Sequence, residues 1–62
     1  MGSVKVDREW SEYPIGTKAF ATMGGYWIRT NRGWSWNNTG PSFPTPGGDN
    51  SGYVEFPHKN NN

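Results

Sequence analysis

The chain has no cysteine and a single histidine among its 62 residues. Without thiols there is no disulfide to brace a small fold, no thiolate zinc site and no sulfur nucleophile, and the absence fits a reducing cytosol. His58 follows Pro57 in a C-terminal stretch read as a frayed tail, where nothing would hold a general base against a substrate. An excess of charge of one sign is also missing. Six Lys and Arg against five Asp and Glu leave a net charge of +1. Scattered along the chain, these charges set up no long-range field toward nucleic acid or an anionic membrane. No apolar run approaches the ~18–20 residues of a membrane span, and no secretory leader is visible. The carboxylates are Asp7, Glu9, Glu12, Asp49 and Glu55. Paired-carboxylate catalysis needs two of them on one rigid wall, and Gly48-Asp49-Asn50-Ser51 lacks the acidic count and spacing of a calcium loop. These absences lead to the expectation of a non-enzymatic protein with no metal or other cofactor.

Rings, glycine and proline are what the chain has in quantity. Aromatic residues make up 16% of it, as four Trp, three Tyr and three Phe. One domain of this length buries only roughly 60% of its unfolded surface. With no staple to help, most of the rings must belong to the core and few can be spared for a ligand. Three of the four tryptophans fall in Gly24-Gly25-Tyr26-Trp27-Ile28-Arg29-Thr30-Asn31-Arg32-Gly33-Trp34-Ser35-Trp36, which reads as two strands meeting at a tight turn.

Upstream, Lys18-Ala19-Phe20-Ala21-Thr22-Met23 extends toward Gly24-Gly25, the spacing of a two-residue hairpin. That register sets Met23 opposite Tyr26, Thr22 opposite Trp27, Ala21 opposite Ile28 and Phe20 opposite Arg29. The next turn, Asn31-Arg32-Gly33, matches a three-residue loop with a bulged glycine and sets Ile28 opposite Trp36. Alternation then collects Ala19, Ala21, Met23, Tyr26, Ile28, Thr30, Trp34 and Trp36 on a core face. Phe20, Thr22, Trp27, Arg29 and Ser35 fall on the outer one.

The flanks are less regular. Met1-Gly2-Ser3 is set apart from the fold as an appended stub. Val4-Lys5-Val6 alternates like an edge strand, and Asp7 to Tyr13 reads as a strand or turn that folds Trp10 back over the core. Ile15 is expected as an apolar plug beside a turn at Gly16. Asn37 to Gly52 excludes helix or central strand by its prolines and glycines, with Phe43 as the anchor of a long loop spanning 38–52. Tyr53-Val54-Glu55-Phe56 is the closing strand. The expected fold is all-β: a small antiparallel meander of three main strands (about 18–23, 26–30 and 34–37) closed by 53–56. An SH3-like, partly open barrel is one way to close it.

Two short motifs have equally simple structural readings. Pro41-Ser42-Phe43-Pro44 spells a PxxP pattern that a polyproline II groove could accept, and it also suits a loop that avoids helix and sheet. Asn37-Asn38-Thr39 spells a glycosylation acceptor, meaningful only in a eukaryotic secreted setting. The candidate binding residues are Phe20, Trp27 and Arg29 on the outer face, Arg32 at the turn and Phe43 in the loop. An exposed ring with a nearby cation makes a stacking platform for single-stranded nucleic acid. With amide donors from Asn31, Asn37 and Asn38 it becomes a glycan platform. A polar-rimmed aromatic patch equally marks a protein interface or a homodimer seam.

Tyr13-Pro14-Ile15-Gly16-Thr17-Lys18-Ala19, Gly24-Gly25-Tyr26-Trp27-Ile28-Arg29, Arg32-Gly33-Trp34-Ser35-Trp36 and Phe43-Pro44-Thr45-Pro46-Gly47-Gly48-Asp49 together resemble short proteins encoded by bacteriophages and prophages of enteric bacteria. The resemblance spans about residues 13–57. It carries no established activity, so no residue role transfers. It implies a bacterial cytoplasmic setting and an accessory, regulatory role with a host or phage protein as partner. The Tyr-x-x-Gly turn before a Gly-Tyr strand is also similar to small chitin-binding modules, without their Trp-Trp ligand pair.

Overall fold

A computed structural model describes residues 2–57. Six antiparallel strands form one open sheet: β1 Val4–Lys5, β2 Lys18–Phe20, β3 Tyr26–Thr30, β4 Gly33–Trp36, β5 Ser42–Phe43 and β6 Tyr53–Glu55, in the spatial order β1-β6-β2-β3-β4-β5. The all-β expectation holds, including the edge strand at Val4 and the closing strand at Tyr53. The sheet stays open, with β1 and β5 at its edges. The longest strand is Tyr-Trp-Ile-Arg-Thr, all residues suited to a pleated, half-buried surface.

Both hairpin registers differ from the sequence reading. β2 and β3 pair Lys18 with Ile28, Ala19 with Trp27 and Phe20 with Tyr26, three residues away from the two-residue hairpin. The chain leaves the sheet after Phe20 because its next polar groups are taken elsewhere. The Asp49 carboxylate accepts from both the N–H and the hydroxyl of Thr22, and Asn37 Oδ1 accepts the Tyr26 N–H at 3.0 Å. Residues 21–25 then close as a five-residue loop, with the Ala21 N–H donating to the Gly25 carbonyl at 3.1 Å. Tertiary capture outweighs the local Gly-Gly signal. At the second turn, Thr30 pairs with Gly33 and Trp27 with Trp36, one residue tighter than the bulged loop.

Two slips, each by an odd number, exchange faces. Val4, Ala19, Trp27, Arg29, Trp34, Trp36, Phe43 and Val54 project to one side. Lys5, Lys18, Phe20, Tyr26, Ile28, Thr30, Ser35, Tyr53 and Glu55 project to the other. Residues 6–14 cross the first side and cover it. Trp34, Ala19 and Val54 are completely buried there with Tyr13, and Val6, Trp10 and Trp27 pack around them. Trp10, on a single 3₁₀ turn over Trp10–Glu12, meets Trp34 edge-on at 5.4 Å and accepts the Trp34 indole N–H at its carbonyl. The folded-back Trp10 is as expected. Tyr13 completes the cluster, its hydroxyl accepting the Asp7 N–H at 3.1 Å. Ile15 is no plug: it is 62% exposed, and Met23, expected in the core, is 84% exposed. Thr17 takes the buried place instead, its hydroxyl donating to the Pro14 carbonyl at 2.7 Å.

The 37–52 segment is held at several points. β5 runs against β4, pairing Phe43 with Trp34. It comes so close that a Cβ on Gly33 would stand 2.2 Å from the Phe43 carbonyl oxygen. Gly33 also holds φ at +140°, a second reason why only glycine fits there. Further on, Gly47 lies on the Trp27 indole, where a Cβ would come within 2.9 Å of Cζ2. Phe43 is the weaker anchor of this segment at 46% exposed, while Pro46 is buried. His58, expected in the tail, lies outside the described residues.

Candidate functional site

The five residues singled out from the sequence do not form one surface. Trp27 is on the covered side, opposite Ala19 and Trp36, because the register places it there. Phe20 projects from the opposite side, so the expected Phe20–Trp27 platform is not formed. Arg29, expected as a free cation, is spent on the fold. Its guanidinium donates to the carbonyls of Tyr13 and Ser11, both at 3.2 Å, and to those of Thr30 and Gly33. These bonds tie the covering segment to the second hairpin. They use four of the five guanidinium donors, so the charge serves mainly to hold the fold. Arg32 is exposed at the turn, within a shallow hollow shared with Ser11, Arg29 and Pro44.

Trp27 and Phe43 do come together. Their rings meet edge-on at 6.2 Å, and with Pro44, Thr45, Pro46 and Gly47 they line an open groove of about 410 Å³. The Trp27 indole N–H is buried and has no acceptor among the described residues. An unpaired buried donor costs about 1–3 kcal/mol, and among the described residues this is the one buried side-chain polar atom left without a partner. Its counterpart in Trp34 donates to Trp10.

On the other side of the sheet the chain covers Ser35, which is 4% exposed and donates to the Thr39 carbonyl, and leaves Tyr53 exposed with Phe20 and Tyr26 half-buried. Phe20, Tyr26 and Tyr53 stand there on three adjacent strands, β2, β3 and β6, about 4.8 Å apart from strand to strand. The ring pairs decide how to read them. Trp10, Tyr13, Trp27, Trp34, Trp36, Phe43 and Phe56 each pack against at least one other ring. Among the described residues Phe20, Tyr26 and Tyr53 pack against none, and the hydroxyls of Tyr26 and Tyr53 have no hydrogen-bond partner. Lys18 carries its ammonium over the Tyr26 ring at 4.9 Å, although Glu55 is its cross-strand neighbour. Lys5 is directly across from Tyr53. Ile28 and the exposed Ile15 extend the surface along a second hollow. Tyr26, Tyr53, Lys5 and Lys18 were not among the sequence candidates. The signal that would have found them is the register, which is set by Asp49 and Asn37, residues distant in sequence from the strands they shift.

Charge divides between the sides as well. Asp7, Glu9 and Glu12 belong to the covering segment, and Asp49 is tied to Thr22 at the end of the first hairpin. Asp7 pairs with Arg8 at 3.0 Å, and that hydrogen bond holds its carboxyl below the ordinary range. Arg8 in turn lies over the rings of Tyr13 and Phe56 at 5.1 and 5.2 Å. No three His, Cys, Asp or Glu side chains gather as a metal site among the described residues. No helix there is long and apolar enough to cross a membrane.

Together these features define a small open-sheet, all-β module with one side closed over its core. Comparison with protein-family models, curated proteins and solved structures gives no match to this chain.

Proposed function

We propose that the chain is a non-enzymatic accessory protein that acts by contact, and that it makes this contact through the open side of the sheet. The observation that supports this reading is the partition of the rings. Seven satisfy one another on the covered side, while Phe20, Tyr26 and Tyr53 stand unpaired beside Ile28 and two lysines. Rings held on a rigid sheet, partly exposed and without partners, are the arrangement that macromolecular contacts use. The resemblance to phage and prophage proteins supplies the setting, a bacterial cytoplasm with host and phage macromolecules to regulate.

A second reading places a protein partner in the Trp27–Phe43 groove, where an extended peptide would add an apolar lid to Phe43 and Pro44. The unpaired Trp27 indole N–H favours it, as a donor that a peptide carbonyl would satisfy. Affinity capture from bacterial lysate with the parent chain, Tyr26→Ala and Phe43→Ala separates the two. Loss of captured material with Tyr26→Ala alone is the expected result. Loss with Phe43→Ala alone would move the contact to the groove.

A further inference from the structure

The open side divides its chemistry in a way that narrows the partner, given the reading just proposed. Three rings stand on consecutive strands without stacking on each other: Tyr53 is exposed, Phe20 and Tyr26 are half-buried, and Lys18 lies over one face of Tyr26. The cations are placed beside them. Lys5 is directly across from Tyr53, and Lys18 overhangs Tyr26 at 4.9 Å. Of the strand residues that project from this side, Glu55 is the one carboxylate, and it lies directly across from Lys18. The strand residues of this side therefore carry two cations, Lys5 and Lys18, and one anion.

We infer that the open side binds single-stranded nucleic acid, with bases stacking on Phe20, Tyr26 and Tyr53 and phosphates meeting Lys5 and Lys18. Bases splayed from a single strand can reach rings on neighbouring strands, which the stacked bases of a closed duplex cannot. Stacking on a ring is indifferent to base identity, so the expected binding tolerates sequence. Two phosphate contacts give a weak salt dependence, with log K falling by about 1.4 for each decade of salt.

The test is a proton–nitrogen NMR titration of the full chain with short oligothymidylate and oligouridylate, repeated across a salt series. Tryptophan quenching would be the wrong readout, because Trp27, Trp34 and Trp36 project to the covered side and Trp10 packs on Trp34. Expected are shifts that cluster on Lys5, Lys18, Phe20, Tyr26 and Tyr53. Affinity should fall about 5- to 150-fold in Tyr26→Ala. The exposed Tyr53→Ala and Lys5→Gln provide variants that leave the fold intact, the first weakening binding and the second flattening the salt slope. Some outcomes overturn the assignment alone. One is a spectrum that oligonucleotides leave unchanged while a soluble chito-oligosaccharide, or rising protein concentration, shifts the same open-side residues. Nucleic acid is then wrong and the open-side reading stands. Oligonucleotide shifts confined to Trp27, Phe43, Thr45 and Gly47, with Tyr26→Ala binding as tightly as the parent, overturn both.

Discussion

The two sides of this sheet are made from the same kinds of residue and differ in what those residues touch. On the covered side Trp34 is fully buried, its indole N–H is satisfied and rings surround it. On the open side Tyr26 has a lysine over its ring and no ring beside it. Aromatic content alone therefore says little about where a small protein binds. The informative quantity is whether each ring's surface has been used by another ring. By that measure the protein devotes seven rings to stability and keeps three.

The sharpest way to break this comparison is to remove the centre of the covered side. Trp34→Ala should cost about 3–5 kcal/mol, enough to unfold a domain of this size, and urea titration followed by circular dichroism will show it. A midpoint close to the parent's would mean that Trp34 is not the centre. Gly33→Ala comes next. A Cβ 2.2 Å from the Phe43 carbonyl, at a φ of +140°, must drive β5 away from β4, at about 1–3 kcal/mol. Rapid proteolysis within residues 38–47, at a modest loss of melting temperature, is the expected pattern.

A subtler pair compares the two indole N–H groups. Trp34→Phe deletes a made hydrogen bond, whereas Trp27→Phe deletes an unmade one. The first should therefore be the more destabilising by about 1–2 kcal/mol, measured by chemical denaturation of both variants. On the open side Tyr53→Ala should stay within about 0.5 kcal/mol of the parent, and a larger loss would count Tyr53 as core. Smallest of all is Asp7→Asn. The Asp7 carboxyl titrates below the usual aspartate range because Arg8 donates to it. The stability it adds is present above the unfolded value and is lost as pH falls through the folded one. The parent and Asp7→Asn should differ slightly in melting temperature at neutral pH and converge in strong acid. A gap that widened on acidification would reverse the sign.

How much of this was legible in the sequence follows from where each determinant lies. The all-β class came from alternation and turn residues close to the strands they serve, and Val4, Trp10 and Tyr53 all took the places expected of them. The faces did not, because a strand's face depends on parity and parity depends on the register. Gly24-Gly25 pointed locally to a two-residue hairpin. Asp49, on the far side of a proline-rich loop, takes the Thr22 N–H and hydroxyl and shifts the pairing by three residues. That one contact moves Trp27 inward and Tyr26 outward, and the candidate site moves with it. Arg29 was singled out as a binding residue. Its role is nevertheless internal, because the carbonyls of residues 11 and 13 reach it only after the covering segment has folded.

The edges of the sheet carry a last consequence. An unpaired strand edge is a template on which another chain can grow. Here both edges are only two residues long, and Pro41 and Pro44 bracket β5 so that it cannot lengthen as a ladder. A visiting strand would find about one pair of hydrogen bonds before the pattern stopped. The protein can leave apolar rings in view on one side without inviting fibrous growth, because the direction in which a sheet propagates is closed at both ends.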